Sequence, residues 1–410
     1  MVEQRHRRLD QLLLSPEFLD NPYPVYDELR AEDPVHWCEP WSCWVLTRYA
    51  DVEVTFRDSH HFLNSGRFTS LMEQLPEPVR EEVQPLEQHF LLGLISSDPP
   101  VHTRLRSLVH KAFTPRAVAE MREQIQAIVD QHLDAVQDTG SMDLVRDLAY
   151  PLPVTVISSM LGIPPADREQ FKQWSDDIML FQATGRTTPE TVRYSQRALL
   201  AMRDYLSEIF EQRRRQPKED LISGLVAAEE QGDTLTAGEL LSTCVTLLVA
   251  GHGTTTNLIG NSLLALLRHP EQLRALRDDP ALIGVAVEEF LRYDTPLQRN
   301  RRVAATDIEF GGKQIKQGEL ILQILGAANR DPEQFPDPDR LDIRRQPNRH
   351  IGFGKGIHFC VGAPLARLEA PIAINTILRR MPRIELAVDA VEWRHEHAVF
   401  RSLRSLPVVF

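Results

Sequence analysis

The chain is expected to fold as a mainly α protein with small β-sheets, and three observations point there. Glycine is low at 20 and proline raised at 28 in 410 residues, which suits helices stopped by prolines better than a glycine-turned nucleotide fold. Apolar residues recur at helical spacing over 22–33, 116–138, 166–182, 191–215 and 270–294, the period of an amphipathic helix. β-Branched and aromatic residues gather only in short stretches, Trp44–Thr47, Arg302–Phe310, Leu320–Ile324 and Leu406–Phe410, as short strands do. No repeat and no Ser/Gly-rich linker divides the chain, so one domain over 1–410 is expected where length alone suggests two or three.

The N-terminus MVEQRHRRLDQLLL carries positive charge but too short an apolar run for a secretory segment. A small β-containing part is expected at about 35–65, where Trp37, Trp41 and Trp44 surround Cys38 and Cys43, read as structural thiols. The dominant element is a long central helix at about 237–269. Thr236 and Glu239 form a capping box, apolar residues recur through Leu241, Leu247, Leu248, Leu258, Leu263 and Leu267, and Pro270 stops it. Such a helix is about 50 Å long at 1.5 Å per residue, enough to cross a domain. Its middle, CVTLLVAG, is apolar on every face and so belongs in the core. AGHGTTTN at 250–257 then places two glycines mid-helix, each costing about 1 kcal/mol against alanine. Close approach of a flat partner, a kink or an opened carbonyl would account for them, and so would tight helix packing.

Composition narrows function. With 58 acidic against 46 basic side chains and a net charge of −12, the chain is not a nucleic-acid binder acting through a globally basic surface. Apolar runs such as Leu247–Ala250 are far shorter than the roughly 20 residues of a membrane span, and a cytoplasmic protein is expected. The four cysteines, Cys38, Cys43, Cys244 and Cys360, form no CxxC pair and no disulfide framework. The dinucleotide fingerprint GxGxxG is also missing where a first strand would carry it.

The most informative stretch is HIGFGKGIHFCVGAPLARLEA at 350–370. Gly354 and Gly356 permit the positive φ of a tight turn, and a helical pattern opens almost at Cys360. A thiol there meets free N–H groups and the positive end of the helix dipole, both of which favour thiolate. Two roles fit a lone thiolate: a nucleophile with His358 as base, or an axial metal ligand. An extended i, i+2 arrangement does not fix His358 against the sulfur, so the ligand role explains more.

These residues carry a resemblance. FGKGIHFCVG, from Phe353 to Gly362, resembles the cysteine-ligand loop at 353–362 of the cytochrome P-450 superfamily, in the form of its soluble bacterial members. AGHGTTT resembles the family's oxygen-binding segment, EEFLR its ExxR motif through Glu289 and Arg292, and FPDPDRLDI at 335–343 the loop supplying a second arginine, here Arg340. The matches fall in the family's order from about residue 96 onward. The resemblance implies a single large haem-thiolate domain with haem b on the Cys360 thiolate, and further haem contacts at Phe353, Gly354 and Gly362. His102, Arg106, Arg302 and His358 would face the propionates, with Arg299 and Arg301 as alternatives to Arg302. Ala250, Gly251, His252, Gly253 and Thr254 would form the oxygen-binding stretch, and Glu289, Arg292 and Arg340 a structural network.

The implied activity is monooxygenation of a hydrophobic small molecule by O2, with electrons from NAD(P)H through a ferredoxin or flavodoxin-type partner and a monomeric protein. By family analogy the pocket includes Phe68, Phe90, Leu94, Ile178, Met179, Phe181, Val249, Leu297, Val399 and Phe400. Basic residues Arg340, Arg344, Arg345, Arg349 and Lys355 against Asp342 suggest a docking patch for an acidic donor beside the cysteine loop. One departure stands out: the family's usual acid before the helix threonine is Gly253, while Thr254 is retained. Water at the glycine, aided by His252 or by a polar substrate group, is one replacement for half of a proton relay. A peroxide-driven or C–C/C–O coupling enzyme, or a haem-binding sensor without turnover, is also compatible with that change.

Overall fold

A computed structural model describes residues 2–183, 187–230, 235–396 and 398–410. The long helix runs unbroken over Ala237–Arg268, and its capping box is reciprocal: Glu239 N–H donates to Thr236 Oγ1 at 3.2 Å and Thr236 N–H to Glu239 Oε2 at 2.8 Å. Because its middle is apolar, other helices pack around it. Pro151–Met160, Arg168–Ala183, Ile283–Tyr293 and Ala363–Arg380 all pack on it, and the largest apolar core surrounds it.

The strands are short. A five-stranded sheet takes the order Val35–Cys38, Cys43–Leu46, Leu320–Ile324, Arg299–Ala304, Phe62–Leu63. Cys38 and Cys43 face each other across its first hairpin as free buried thiols, pushed up by burial and therefore inert. A three-stranded sheet joins Ser141–Asp143, Pro407–Val409 and Glu385–Leu386. The hairpin Ile308–Phe310/Lys313–Ile315 turns on Gly311 and Gly312 at φ +56° and +74°, the pair of positive dihedrals a type I′ turn requires.

Three expected elements differ in detail. The helix expected over 116–138 is two, Pro115–Glu120 and Arg122–Asp134, and that over 270–294 is Pro270–Asp278 and Ile283–Tyr293. The second break follows from Pro280, which drives Asp279 out of the helical region to φ −133° and ψ 84°. The stretch Arg302–Phe310 divides between the strands Arg299–Ala304 and Ile308–Phe310. No helix among the described residues is long and apolar enough to cross a membrane.

Candidate haem-thiolate site

The cysteine loop is built by local rules. Gly354 and Gly356 both sit at φ +68°, and Cys360 N–H donates to the Phe353 carbonyl at 2.9 Å, closing the turn. Gly356 is needed twice over, since a Cβ there would lie 2.4 Å from the Phe56 carbonyl oxygen. Gly356→Ala is therefore expected to destabilise the fold by about 2 kcal/mol or more, read as a lower urea midpoint with faster haem loss.

The helix Ala363–Arg380 begins just after Cys360, and the N–H groups of Gly362 and Ala363 donate toward its sulfur. Burial pushes the thiol up, and those N–H groups with Arg106 and Arg367 pull it back only in part. The N–H groups at the helix start thus act in the expected direction, toward thiolate, and a cation bonded to the sulfur would complete the ionisation.

Next to this loop lies a group of bases with almost no anion among them. The rings of His102 and His358 stand 4.0 Å apart, and Arg302, 2 % exposed, lies over the Phe56 ring. Arg67 joins them from beside Phe68, a position that nothing in the sequence singled out. Burial first, then His102, Arg302, Arg67 and Arg106, push His358 down to about 2. Burial and Arg106 take His102 to about 4, and burial with Arg67 takes Arg302 to about 9. His102 Nε2, His358 Nε2 and Arg67 Nε are buried without a partner among the described residues. Orphaned donors and mutually repelling cations call for a dianion, which two carboxylates of a flat ligand supply. Arg299 lies instead against Phe18 and Trp41, on the opposite face of its strand.

Across the cavity from Cys360 runs the long helix. Thr254 lines the cavity, with its hydroxyl donating to the Ala250 carbonyl at 3.0 Å. The two glycines serve close packing: a Cβ on Gly251 would meet Ile157 at 3.3 Å, and one on Gly253 would meet the Met179 tip at 3.0 Å. His252 is corrected as a proton donor to the site, because it points away from the cavity. Its Nε2 lies 3.1 Å from Asp176, and its Nδ1 3.1 Å from the Leu248 carbonyl and 3.3 Å from Ser175.

Glu289 and Arg292 are fully buried and bidentate, at 2.8 and 2.9 Å. The third member is corrected from Arg340 to Arg345, whose Nε lies 3.2 Å from Glu289. Arg340 is exposed and contributes only its carbonyl, to Arg292 and Arg345. Five basic residues in 340–355 offered no means of choosing between them.

Comparison with known proteins decides the family, for the profile described as Cytochrome P450 matches residues 71–280 and 281–383. The chain belongs to the cytochrome P450 family. It is 43% identical over 399 residues to a "Biotin biosynthesis cytochrome P450" of Bacillus subtilis strain 168, covering 97% of this chain and 98% of the relative. It is 40% identical over 412 residues to the polyketide biosynthesis cytochrome P450 PksS of the same organism, covering 98% and 99%. The structure of P450BioI in complex with hexadec-9Z-enoic acid ligated acyl carrier protein superposes with a TM-score of 0.89 at 41% identity, over 97% of this chain and 100% of that one. As a P450 monooxygenase, an oxidoreductase, the protein takes haem b on a cysteine thiolate, and the orphaned bases beside Cys360 fit its propionates.

The cavity of this P450, about 380 Å³ as reached by the centre of a water-sized sphere, is lined by Phe68, Phe90, Leu94, Ile178, Met179, Val249, Leu297, Val399 and Phe400. The side chain of Phe181 lies outside the described residues. The cavity wall also holds polar groups that sequence reading missed, among them Thr246 and His89, the latter pushed down to about 4 by burial. Of the five basic residues expected as a docking patch, Arg345 is tied to Glu289 and Lys355 to Glu53 and Tyr49, leaving Arg340, Arg344 and Arg349 exposed.

Proposed function

We propose that this P450 inserts one oxygen atom from O2 into a hydrophobic small molecule, drawing electrons from NAD(P)H through a ferredoxin or flavodoxin-type partner, as a cytoplasmic monomer. The carrying observation is the position of the Cys360 sulfur at the foot of an apolar cavity, with the Thr254 hydroxyl in the opposite wall. Cysteinate-ligated haem supplies the activation of O2, the thiolate donation favouring O–O cleavage. Gly362 and Ala363 N–H groups hold the sulfur. His102, Arg106, Arg302 and His358, with Arg67, would hold the propionates, and Phe353 and Gly354 would contact the haem from the cysteine loop. Fatty-acyl, polyketide and steroid-like molecules suit the apolar wall, and the names of the relatives support the first two. His89 and Thr246 offer such a substrate two hydrogen-bonding points.

Thr254 positions a proton-carrying water, and Gly253 adds no acid. Thr254→Ala is expected to lower product formed per NAD(P)H by roughly one to two orders of magnitude, with the electrons recovered as hydrogen peroxide. Gly253→Glu is expected to fold, because the added Cβ meets only the flexible Met179 tip, and to raise that yield. The defining experiment is turnover of a hydrophobic library that shifts the haem spectrum, with NADPH, ferredoxin and its reductase. Product with peroxide alone favours the peroxide-driven or coupling reading, for which Gly253 is the supporting observation. Spectral shifts without any product favour a sensor.

Burial of two histidines also sets a pH response for the chain without haem. His89 and His102 take up a proton near pH 6.5 when unfolded but only near about 4 when folded. The unfolded state therefore binds more protons between those values, and stability falls as pH is lowered from 6.5 toward 4, with His358, pushed down to about 2, continuing the fall below that. Urea midpoints of the haem-free protein are expected to show that slope, and His89→Phe to reduce it.

A further inference from the structure

Remote from the haem-thiolate site, the helix Val2–Leu13 is joined to the strand Val35–Cys38 by side chains of unusual chemistry. His6 and Asp10 stand one turn apart on that helix, Asp33 ends the helix Tyr23–Glu32, and His36 is fully buried in the strand. Asp33 Oδ2 lies 3.2 Å from His6 Nε2 and 3.0 Å from His36 Nδ1, and the donor atoms of the three residues all fall within 4.8 Å of one another. His36 Nε2 meets Asp10 Oδ1 at 2.9 Å, and Lys313 Nζ meets the other Asp33 oxygen at 2.9 Å.

We propose that His6, Asp33 and His36 form a site for a zinc-like divalent transition metal that ties the N-terminal helix to the first sheet. Donors about 2.0–2.1 Å from a tetrahedral zinc stand about 3.3 Å apart, so the two Asp33 edges are already near the required spacing. Two imidazoles and a carboxylate are the donor set such an ion takes. Asp10 on the far nitrogen of His36 is the outer carboxylate that fixes a ligating ring and its tautomer. Lys313 leaves Asp33 Oδ2 free and limits the negative charge. The His6 side chain is 30% exposed, so the fourth position opens to water.

A proton on His36, shared between Asp10 and Asp33, would hold the same groups together without metal, and the experiment separates the two. Haem-loaded protein is dialysed against chelator and titrated with zinc by calorimetry, with metal content read by mass spectrometry. One zinc per chain beyond the haem iron is expected, with a dissociation constant in the micromolar range or below and a raised thermal midpoint. His6→Gln, at a half-buried position that the fold tolerates, is expected to weaken zinc binding at least about ten-fold and to abolish the thermal shift. Asp10→Asn is expected to weaken it about ten-fold or more. His395→Gln, which removes only the exposed pair with Asp20, leaves it unchanged. Absence of saturable binding, or equal binding by His6→Gln, overturns the proposal in favour of the proton-held network.

Discussion

Cys360→Ala is expected to abolish the thiolate-specific absorption of the reduced carbon monoxide complex and to lower product formation by about 10³-fold or more, a loss of about 4 kcal/mol in barrier stabilisation. The variant is expected to fold. The sulfur faces the cavity, so its removal opens no void in the packed core, and the Cys360 N–H bond to Phe353 that shapes the loop is a backbone bond. Haem is expected to remain partly bound, because the bases around His358 and Arg302 are untouched. A variant that kept the thiolate spectrum would remove Cys360 from its assigned place.

Arg292→Ala is expected to be the most damaging substitution to stability. It leaves Glu289 buried without its bidentate partner, a change that costs about 3–5 kcal/mol. With an unfolding entropy of about 2.1 cal/mol/K per residue, that lowers the thermal midpoint by about 4–6 °C. Removing both partners does not restore stability as it does for an isolated buried pair. Arg292 also donates to the carbonyls of Asn329, Pro338 and Arg340, and Glu289 also accepts from Arg345, Asn348 and the Asp342 N–H. Glu289→Leu/Arg292→Leu would leave five of these groups without their partner, only the Arg340 carbonyl keeping a second one in Arg345. A double-mutant cycle in urea is expected to give a double variant no more stable than either single one.

Much of the site was legible because its rules are local. The capping box, the apolar run and Pro270 mark the long helix to within a residue of Ala237–Arg268. Gly354, Gly356 and the helix opening after Cys360 define the sulfur's setting from a dozen consecutive residues. The choice between Arg340 and Arg345 was not legible, because both are arginines on one loop and only the docking of that loop on Glu289 separates them. Arg67 was invisible for the same reason: one arginine carries no mark in the sequence of the His102–His358 group it joins.

The sequence by itself determined the mainly α fold, the long central helix, the single ligating cysteine and the Glu289–Arg292 pair. Each depends on contacts within a turn or two of one element, or on motif spacing along the chain. Tertiary structure alone decided that His252 turns toward Asp176, that Met179 fills the place of the acid at Gly253, and that Asp33 gathers two histidines from separate elements. Those outcomes join residues far apart in the chain, and charge or size at one position does not specify which distant partner the packing will bring to it.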